Sequence, residues 1–280
     1  MRTLSLLLAG GLLLLTTACM EVETSTEESE KQATTMTDNG LTEDGKYPIT
    51  DGPEPTEPEA TEFYEPVPPK VAPGDAFAEA PSDAIVLFAG SSLEGWEQAG
   101  DGSDAQWTLN DDGSMTVVPG TGDLRTREAF GSCQLHLEWK IPADIEGEGQ
   151  DRGNSGVFFQ ERYEIQILDN YENKTYVNGQ AGAVYKQHVP LANACKPAGE
   201  WQSYDIIFHA PQFNAEGDRT QAGTFTVFHN GVLIQDHVPI RGTVEYIGWP
   251  RNEAHGDAPL KLQDHDHRVS FRNIWLRPLP

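Results

Sequence analysis

From residue 84 onward the apolar residues come in short runs, many alternating with polar ones and ending at turn-forming pairs, and no stretch shows the sustained 3.6-residue period of a long amphipathic helix. The clearest instance is Phe225-Thr-Val-Phe-His-Asn-Gly-Val-Leu-Ile-Gln235, two strands around Asn230-Gly231. Asn-Gly takes the positive φ angles that a two-residue hairpin turn demands. Asp111-Asp112-Gly113 and Asn178-Gly179 give similar turn signals. Strands are expected at Ile85–Phe88, Gln106–Leu109, Met115–Val118, Gln134–Lys140, Gly156–Phe159, Tyr163–Leu168, Trp201–Ala210, Gly223–His229, Val232–His237, Leu260–Gln263 and Val269–Leu276. Short strands at close spacing without helices between them predict an all-β fold, an antiparallel β-sandwich, with a jelly roll fitting the strand number best. Residues 84–280 form one domain of sufficient size to bury a full core.

What precedes that domain is different material. Residues 1–18 hold Arg2, an apolar Leu- and Gly-rich run too short to span a bilayer, and Thr16-Thr17-Ala18 before Cys19, the pattern of a bacterial export signal. Ending on Cys19, it resembles a lipoprotein signal that makes Cys19 the lipidated first residue. Met20 in the following position favours the outer membrane, periplasmic side or cell surface. Residues 19–83 are expected to be a disordered tether rich in Glu, Pro and Thr. From Met20 to Asp83 there are 17 acidic residues against 3 lysines, so 14 of the 25 net negative charges sit there. Such a composition cannot bury enough apolar surface to order itself. The domain is also acidic, which excludes a nucleic-acid partner, and the membrane is met only through the lipid.

With Cys19 assigned to lipid, Cys133 and Cys195 remain, and in an exported protein they are expected to pair as a disulfide. They lack Cys-x-x-Cys or Cys-x-x-His spacing for a metal.

The richest stretch runs from Asp151 to Asp169 and reads as two strands joined by a tight turn near Gln160–Arg162. Period-two alternation places Glu164 and Gln166 on one face and Ile165 and Ile167 on the other. Arg152, Asn154 and Ser155 open the first strand, so a guanidinium, an amide, a hydroxyl and a carboxyl converge with Asp169. Three other patches carry reactive groups: the loop with Tyr185, Lys186 and His188; Gly199-Glu200-Trp201-Gln202; and Gln263-Asp264-His265-Asp266-His267 leading to Arg272 and Asn273. Each has a plain structural reading beside the functional one. Glu164 and Gln166 fit a solvated sheet face, the histidines a solvated turn, Arg272 and Asn273 a strand anchor, and Trp201 the core.

Taken together, Phe88-Ala-Gly-Ser-Ser-Leu-Glu-Gly-Trp96, Arg-Gly-Asn-Ser-Gly, Tyr-Glu-Ile-Gln-Ile-Leu-Asp, Gly-Ala-Val-Tyr, Gly-Glu-Trp, His-Asn-Gly and Leu-Gln-Asp-His with Val-Ser-Phe-Arg-Asn-Ile resemble the 3-keto-disaccharide hydrolase domain family. The resemblance runs from about Ala84 to Leu279 and implies a concanavalin A-like sandwich. It departs from the family in a lengthened Pro211–Gln221 loop and in Gln202, where Asn is expected.

The implied activity is cleavage of the glycosidic bond of sugars already oxidised to a ketone at carbon 3, so a sugar 3-oxidoreductase is the implied pathway partner. The ketone acidifies the hydrogen at carbon 2. A base removes it, the substituent at carbon 1 leaves, and water adds. The resemblance assigns Glu164 and His265 as acid and base in either order, and Arg152 and Asn154 as holders of the enolate oxygen. Ser155, Gln166, Asp169, Tyr185, Lys186, Trp201, Gln263 and Arg272 are expected to bind substrate. A divalent cation held by Glu164, Asp169 or His265 could serve as the electrophile instead, and no other cofactor is called for. Two rivals stand beside this reading. One is a retaining β-glucanase using carboxylates of Glu164-Ile-Gln-Ile-Leu-Asp169. The other is a non-catalytic surface lectin with Trp96, Trp107, Trp201 and Trp249 as sugar platforms.

Overall fold

The structure, a computed structural model, describes residues 55–67 and 79–279. The export signal and Cys19 lie outside the described residues. Fifteen strands are present among those described. They are β1 (Ile85–Phe88), β2 (Trp96–Gln98), β3 (Thr108–Leu109), β4 (Met115–Thr116), β5 (Leu124–Phe130), β6 (Cys133–Lys140), β7 (Ser155–Phe159) and β8 (Tyr163–Ile167). The series continues with β9 (Gln202–His209), β10 (Gln212–Phe213), β11 (Arg219–Gln221), β12 (Thr224–His229), β13 (Val232–Pro239), β14 (Ala258–Leu262) and β15 (Ser270–Pro278).

All pairings are antiparallel. One sheet runs β13-β12-β9-β6-β15-β4-β3 with β1 also on β15, and the other runs β2-β5-β14-β7-β8. Their inner faces meet in a single core: Phe159 of the smaller sheet lies 4.9 Å from Phe208 and 5.1 Å from Phe225 of the larger, ring centre to ring centre. The Tyr204 hydroxyl spans the gap to donate to the Gln166 carbonyl at 2.8 Å. This is the jelly-roll, concanavalin A-like sandwich.

Each expected strand has a counterpart, and Asn230 and Gly231 take φ of 52° and 79° between His229 and its partner Val232. Four strands were not foreseen: β2, β5, β10 and β11. In β5, Leu124-Arg-Thr-Arg-Glu-Ala-Phe130, charged residues fill the outward positions and Thr126 an inward one, so the apolar alternation is broken. The Pro211–Gln221 segment, expected as a loop, carries the β10–β11 ribbon.

The expected disulfide is absent. Cys133 stands opposite Phe208 at one end of the β6–β9 ladder, whereas Cys195 adjoins Lys196, whose backbone is bonded to Gln202 at the other end. Six residues of strand separate the ends, roughly 20 Å, and a disulfide needs Cα atoms within about 7 Å. Both residues are buried thiols, and burial pushes Cys133 up to about 12.

Two expected substrate ligands face away from the smaller sheet. On the outer face of the larger sheet, Arg272 donates to Glu138 at 2.6 Å and lies 4.1 Å over the Trp201 ring, with Lys140 4.5 Å from the same ring. Asn273 donates to Glu138 at 2.9 Å, and His136 shares a proton with Asp205 at 2.7 Å. Burial alone would lower the His136 pKa, but the hydrogen bonds and charges of Asp205 and Glu138 outweigh it and raise it to about 9. Arg272 and Trp201 thus anchor the sheet.

Part of the expected tether is also folded. Residues 55–67 lie against the domain: Asn178 donates to the Thr61 carbonyl at 2.9 Å and accepts from the Phe63 amide, and the Val177 amide meets the Phe63 carbonyl. Lys186, its side chain 4% exposed, donates to the Pro58 carbonyl at 3.1 Å and to that of Tyr246 at 2.9 Å, with Glu62 at 3.7 Å. Residues Tyr176, Tyr185 and Tyr246 ring its ammonium at 4.9 to 5.7 Å. The composition that argued for disorder holds no signal for this strap, because the partners that order it lie over a hundred residues away.

Two outcomes follow. A chain beginning at residue 68 should melt roughly 2–10 °C below one beginning at residue 55, because the loss leaves the Lys186 ammonium short of partners. Equal melting temperatures in calorimetry would show that the strap contributes nothing. The His136 proton, lost near 6.5 when unfolded and near 9 when folded, stabilises fully below 6.5 and less as pH climbs to 9. Denaturant midpoints should fall over that window by on the order of 3 kcal/mol of stability, and in His136→Gln this component should vanish.

Candidate active site

The β7–β8 hairpin builds the site. Its turn places Gln160 and Glu161 at φ of 53° and 57°, an energetically costly pairing for residues with side chains. It is held by the Arg162 amide to Phe159 and by the Arg162 guanidinium to the Gln160 carbonyl. The hairpin register sets Glu164 opposite Phe158 and Gln166 opposite Gly156 on the outer face of the smaller sheet. That face is no solvated surface: Glu164 is 5% exposed and Gln166 only 1%.

Three segments cover it. Residues 182–185 run along β8 as an added edge, with the Gln166 amide bonded to Ala183 and that of Tyr185 to Glu164. Residues 263–269 leave β14, tied down by Ser155 Oγ donating to the Gln263 carbonyl at 2.7 Å and by the Gln263 amide to Gly156. Residues 241–257 are pinned by the Val244 amide to Arg162 and by Lys186 to Tyr246.

Between them lies a hollow of about 190 Å³ lined by Asn154, Phe158, Glu164, Gln166, Tyr185, Val244, Tyr246, Gln263 and His265. Six residues nominated from the sequence therefore come together: Glu164, His265, Asn154, Gln166, Tyr185 and Gln263. Ser155 is beside them but buried, serving to fix the His265 loop. Phe158, Val244 and Tyr246 were missed. Phe158 lies in the apolar strand Gly156–Phe159 and carries no polar signal, and Val244 and Tyr246 lie in a stretch without regular pattern.

Glu164 is the chemically distinctive group. A Cβ on Gly156 would sit 2.4 Å from its Oε1, so only glycine leaves space for the carboxyl. With its amide turned to complement its neighbours, Gln166 donates to the Ser155 carbonyl at 2.7 Å and to Glu164 Oε1 at 3.0 Å. Burial raises the Glu164 pKa to about 8; the charge of Lys261 opposes this and that of Asp123 adds to it. At neutral pH the group is a carboxylic acid with a proton to give. His265, on the exposed loop, lines the same hollow, its ring parallel to that of His267 at 6.2 Å.

Arg152 and Asp169 belong elsewhere. Arg152 Nε donates to Asp169 Oδ2 at 2.8 Å and its Nη1 to the Ile145 carbonyl at 3.1 Å, on the wall of a separate cavity of about 680 Å³ that also includes Tyr171 and Lys174. Lys186 sits beneath the strap. The proposed cation ligands Glu164, Asp169 and His265 are thus divided between two cavities, and among the described residues no three His, Cys, Asp or Glu are grouped to hold a metal ion. Trp96 and Trp107 are core residues bonded to the carbonyls of Leu87 and Gly122, and offer no sugar platform.

The buried acid leaves a mark on stability. Unfolded, Glu164 ionises near 4.5; folded, near 8, so it favours the folded state fully below 4.5 and progressively less up to about 8. Glu164→Gln, which carries no charge, should match the parent near pH 4.5 and exceed it in melting temperature by several degrees at pH 8–9. A gap that does not widen with pH would show that the carboxyl is not held neutral.

Residues 83–277 match the family described as the 3-keto-alpha-glucoside-1,2-lyase-like domain. A candidate glycosyl hydrolase from Parabacteroides distasonis ATCC 8503 is 50% identical in its crystal structure, with a TM-score of 0.70 over 79% of this chain and 96% of that one. A second candidate glycosyl hydrolase from the same organism, 20% identical, shares the fold with a TM-score of 0.53 over 71% of this chain and 94% of its own. No curated protein matches. With a glycosyl hydrolase-like domain matched over most of its length, the chain belongs to the 3-keto-alpha-glucoside-1,2-lyase-like family.

Proposed function

We propose that the protein cleaves 3-keto-glycosides, 3-keto-disaccharides among them, by elimination and hydration in the hollow over β7 and β8. What carries the reading is a buried, proton-bearing carboxyl in the same hollow as an imidazole and several amide side chains. His265 takes the proton from carbon 2, and the electron pair passes through the enolate to expel the substituent at carbon 1. Glu164 gives its proton to the departing oxygen. In the second half the roles reverse: the Glu164 carboxylate takes a proton from water as its oxygen bonds to carbon 1, and protonated His265 returns a proton to carbon 2. The Asn154 amide and the Gln166 and Gln263 side chains hold hydroxyl and carbonyl groups, and the exposed ring of Tyr246 at the rim stacks on the sugar. The small hollow suits one ring better than a polymer.

A retaining glucanase needs two carboxylates about 5–5.5 Å apart on the sugar, and Asp169 is engaged by Arg152 in the other cavity. Of the four tryptophan platforms of a lectin reading, Trp96 and Trp107 are in the core and Trp201 lies under Arg272, which leaves Trp249 alone.

We also infer that the protein is exported as a lipoprotein anchored through Cys19, at the outer membrane, periplasmic side or cell surface, receiving its substrate from a sugar 3-oxidoreductase.

The purified protein should release aglycone from a 3-keto-glucoside and leave the parent glucoside and a β-glucan intact. Glu164→Gln and His265→Ala should each lower kcat by about 10²–10⁴-fold, and the wild-type rate should fall above pH 8 as Glu164 loses its proton. Cleavage of the parent glucoside, or full activity in either variant, would overturn the reading.

A further inference from the structure

The sequence nominated Arg152 as the cation for the enolate oxygen, and the structure puts it in another cavity. The register of the smaller sheet supplies a replacement. Glu164 of β8 faces Phe158 of β7, Phe158 faces Lys261 of β14, Lys261 faces Arg125 of β5, and Arg125 faces Glu97 of β2. Directly paired residues share a sheet face, so these five form a row across the outer surface, and Lys261 stands two strands, roughly 10 Å, from Glu164.

Phe158 fills the step between them: its ring lines the hollow, and the Lys261 ammonium lies 4.2 Å from the ring centre. Arg125 further along is engaged by Glu97 and Glu161. Lys261 Nζ donates to Asp123 Oδ2 at 2.7 Å, and its side chain, 18% exposed, is partly open to solvent. An ammonium has three donors, so two remain for a ligand beside the bond to Asp123. The other oxygen of Asp123 accepts the Asp264 amide at 2.9 Å, and Asp264 in turn accepts from the Gly122 amide. One carboxylate therefore fixes both the cation and the loop that carries His265.

We propose that Lys261 is the electrophile of this site, its ammonium binding the carbon-3 oxygen of the ketosugar, with Asp123 positioning it. The inference rests on the function proposed above. When carbon 2 gives its proton to the base, the carbon–hydrogen electron pair forms the carbon 2–carbon 3 double bond and the carbonyl pair moves onto oxygen, where Lys261 balances the new charge. The pair returns as the bond to the carbon-1 substituent breaks, and Lys261 ends as it began.

The test separates proton removal from bond cleavage. A 3-keto C-glycoside, whose carbon–carbon bond at carbon 1 cannot be eliminated, is incubated in deuterium oxide, and exchange at carbon 2 is followed by NMR. Wild type should exchange. Lys261→Met should exchange about 100-fold more slowly, while Lys261→Arg, which keeps the charge, should recover most of the rate, and all three should melt within a few degrees of one another. Exchange by Lys261→Met at the wild-type rate would overturn the assignment of Lys261 alone. No exchange at carbon 2 by the wild type would overturn the elimination reading itself.

Discussion

The burial of one carboxyl group is the constraint around which the smaller sheet is arranged. A carboxylate in a dry environment is costly, and a site that cannot offer a strong cationic partner resolves the cost by keeping the group protonated. Glu164 follows this course. Gly156 clears the space beneath it, Phe158 and Tyr185 exclude water at its sides, and the Gln166 amide satisfies an oxygen without neutralising it by charge. The three covering segments matter because each removes water from the same group. Each is held by backbone bonds, Tyr185 to Glu164, Gln263 to Gly156 and Val244 to Arg162, so the enclosure belongs to the fold and does not depend on surface side chains alone.

How much of this was legible in the sequence depended on the range of the interaction. Local signals worked: Asn230-Gly231 makes the hairpin it announces, and period-two alternation placed Glu164 and Gln166 together on one face. The order of strands is a long-range matter. Nothing in the alternation of β7 shows that its neighbour is β14, a hundred residues later, so the sequence gives no sign that Lys261 stands beside Phe158. Arg152 and Asn154 are two residues apart and were grouped, yet the bend before β7 delivers them to different cavities, where Asp169 takes Arg152 as an ion pair. Cys133 and Cys195 failed for the same reason: redox compartment and count argue for pairing, and only the ladder between β6 and β9 shows that they sit at opposite ends.

The strap formed by residues 55–67 shows how composition can mislead at short range. It is acidic and rich in proline, as a tether should be, but an amide at Asn178 and an ammonium at Lys186 donate to its backbone carbonyls. Lys186 also holds the carbonyl of Tyr246, which lines the hollow, so one buried amine contacts both the strap and a residue of the site.

The arrangement also explains why a ketone at carbon 3 would change what this scaffold needs to do. Cleaving an ordinary glycoside demands a second carboxylate to meet an oxocarbenium-like transition state, and Glu164 is the one carboxyl residue among those lining the hollow. With the ketone in place, the negative charge develops on the carbon-3 oxygen instead, and the requirement becomes a base, an acid and a cation or hydrogen-bond donors. His265, Glu164 and Asn154 line the cavity, and the Lys261 ammonium lies against the ring of Phe158, which lines it too. A nearby carboxylate would oppose the enolate and hold Glu164 protonated still more strongly. Engaging Asp169 with Arg152 outside the hollow is therefore consistent with elimination, and would be a defect in a conventional retaining hydrolase.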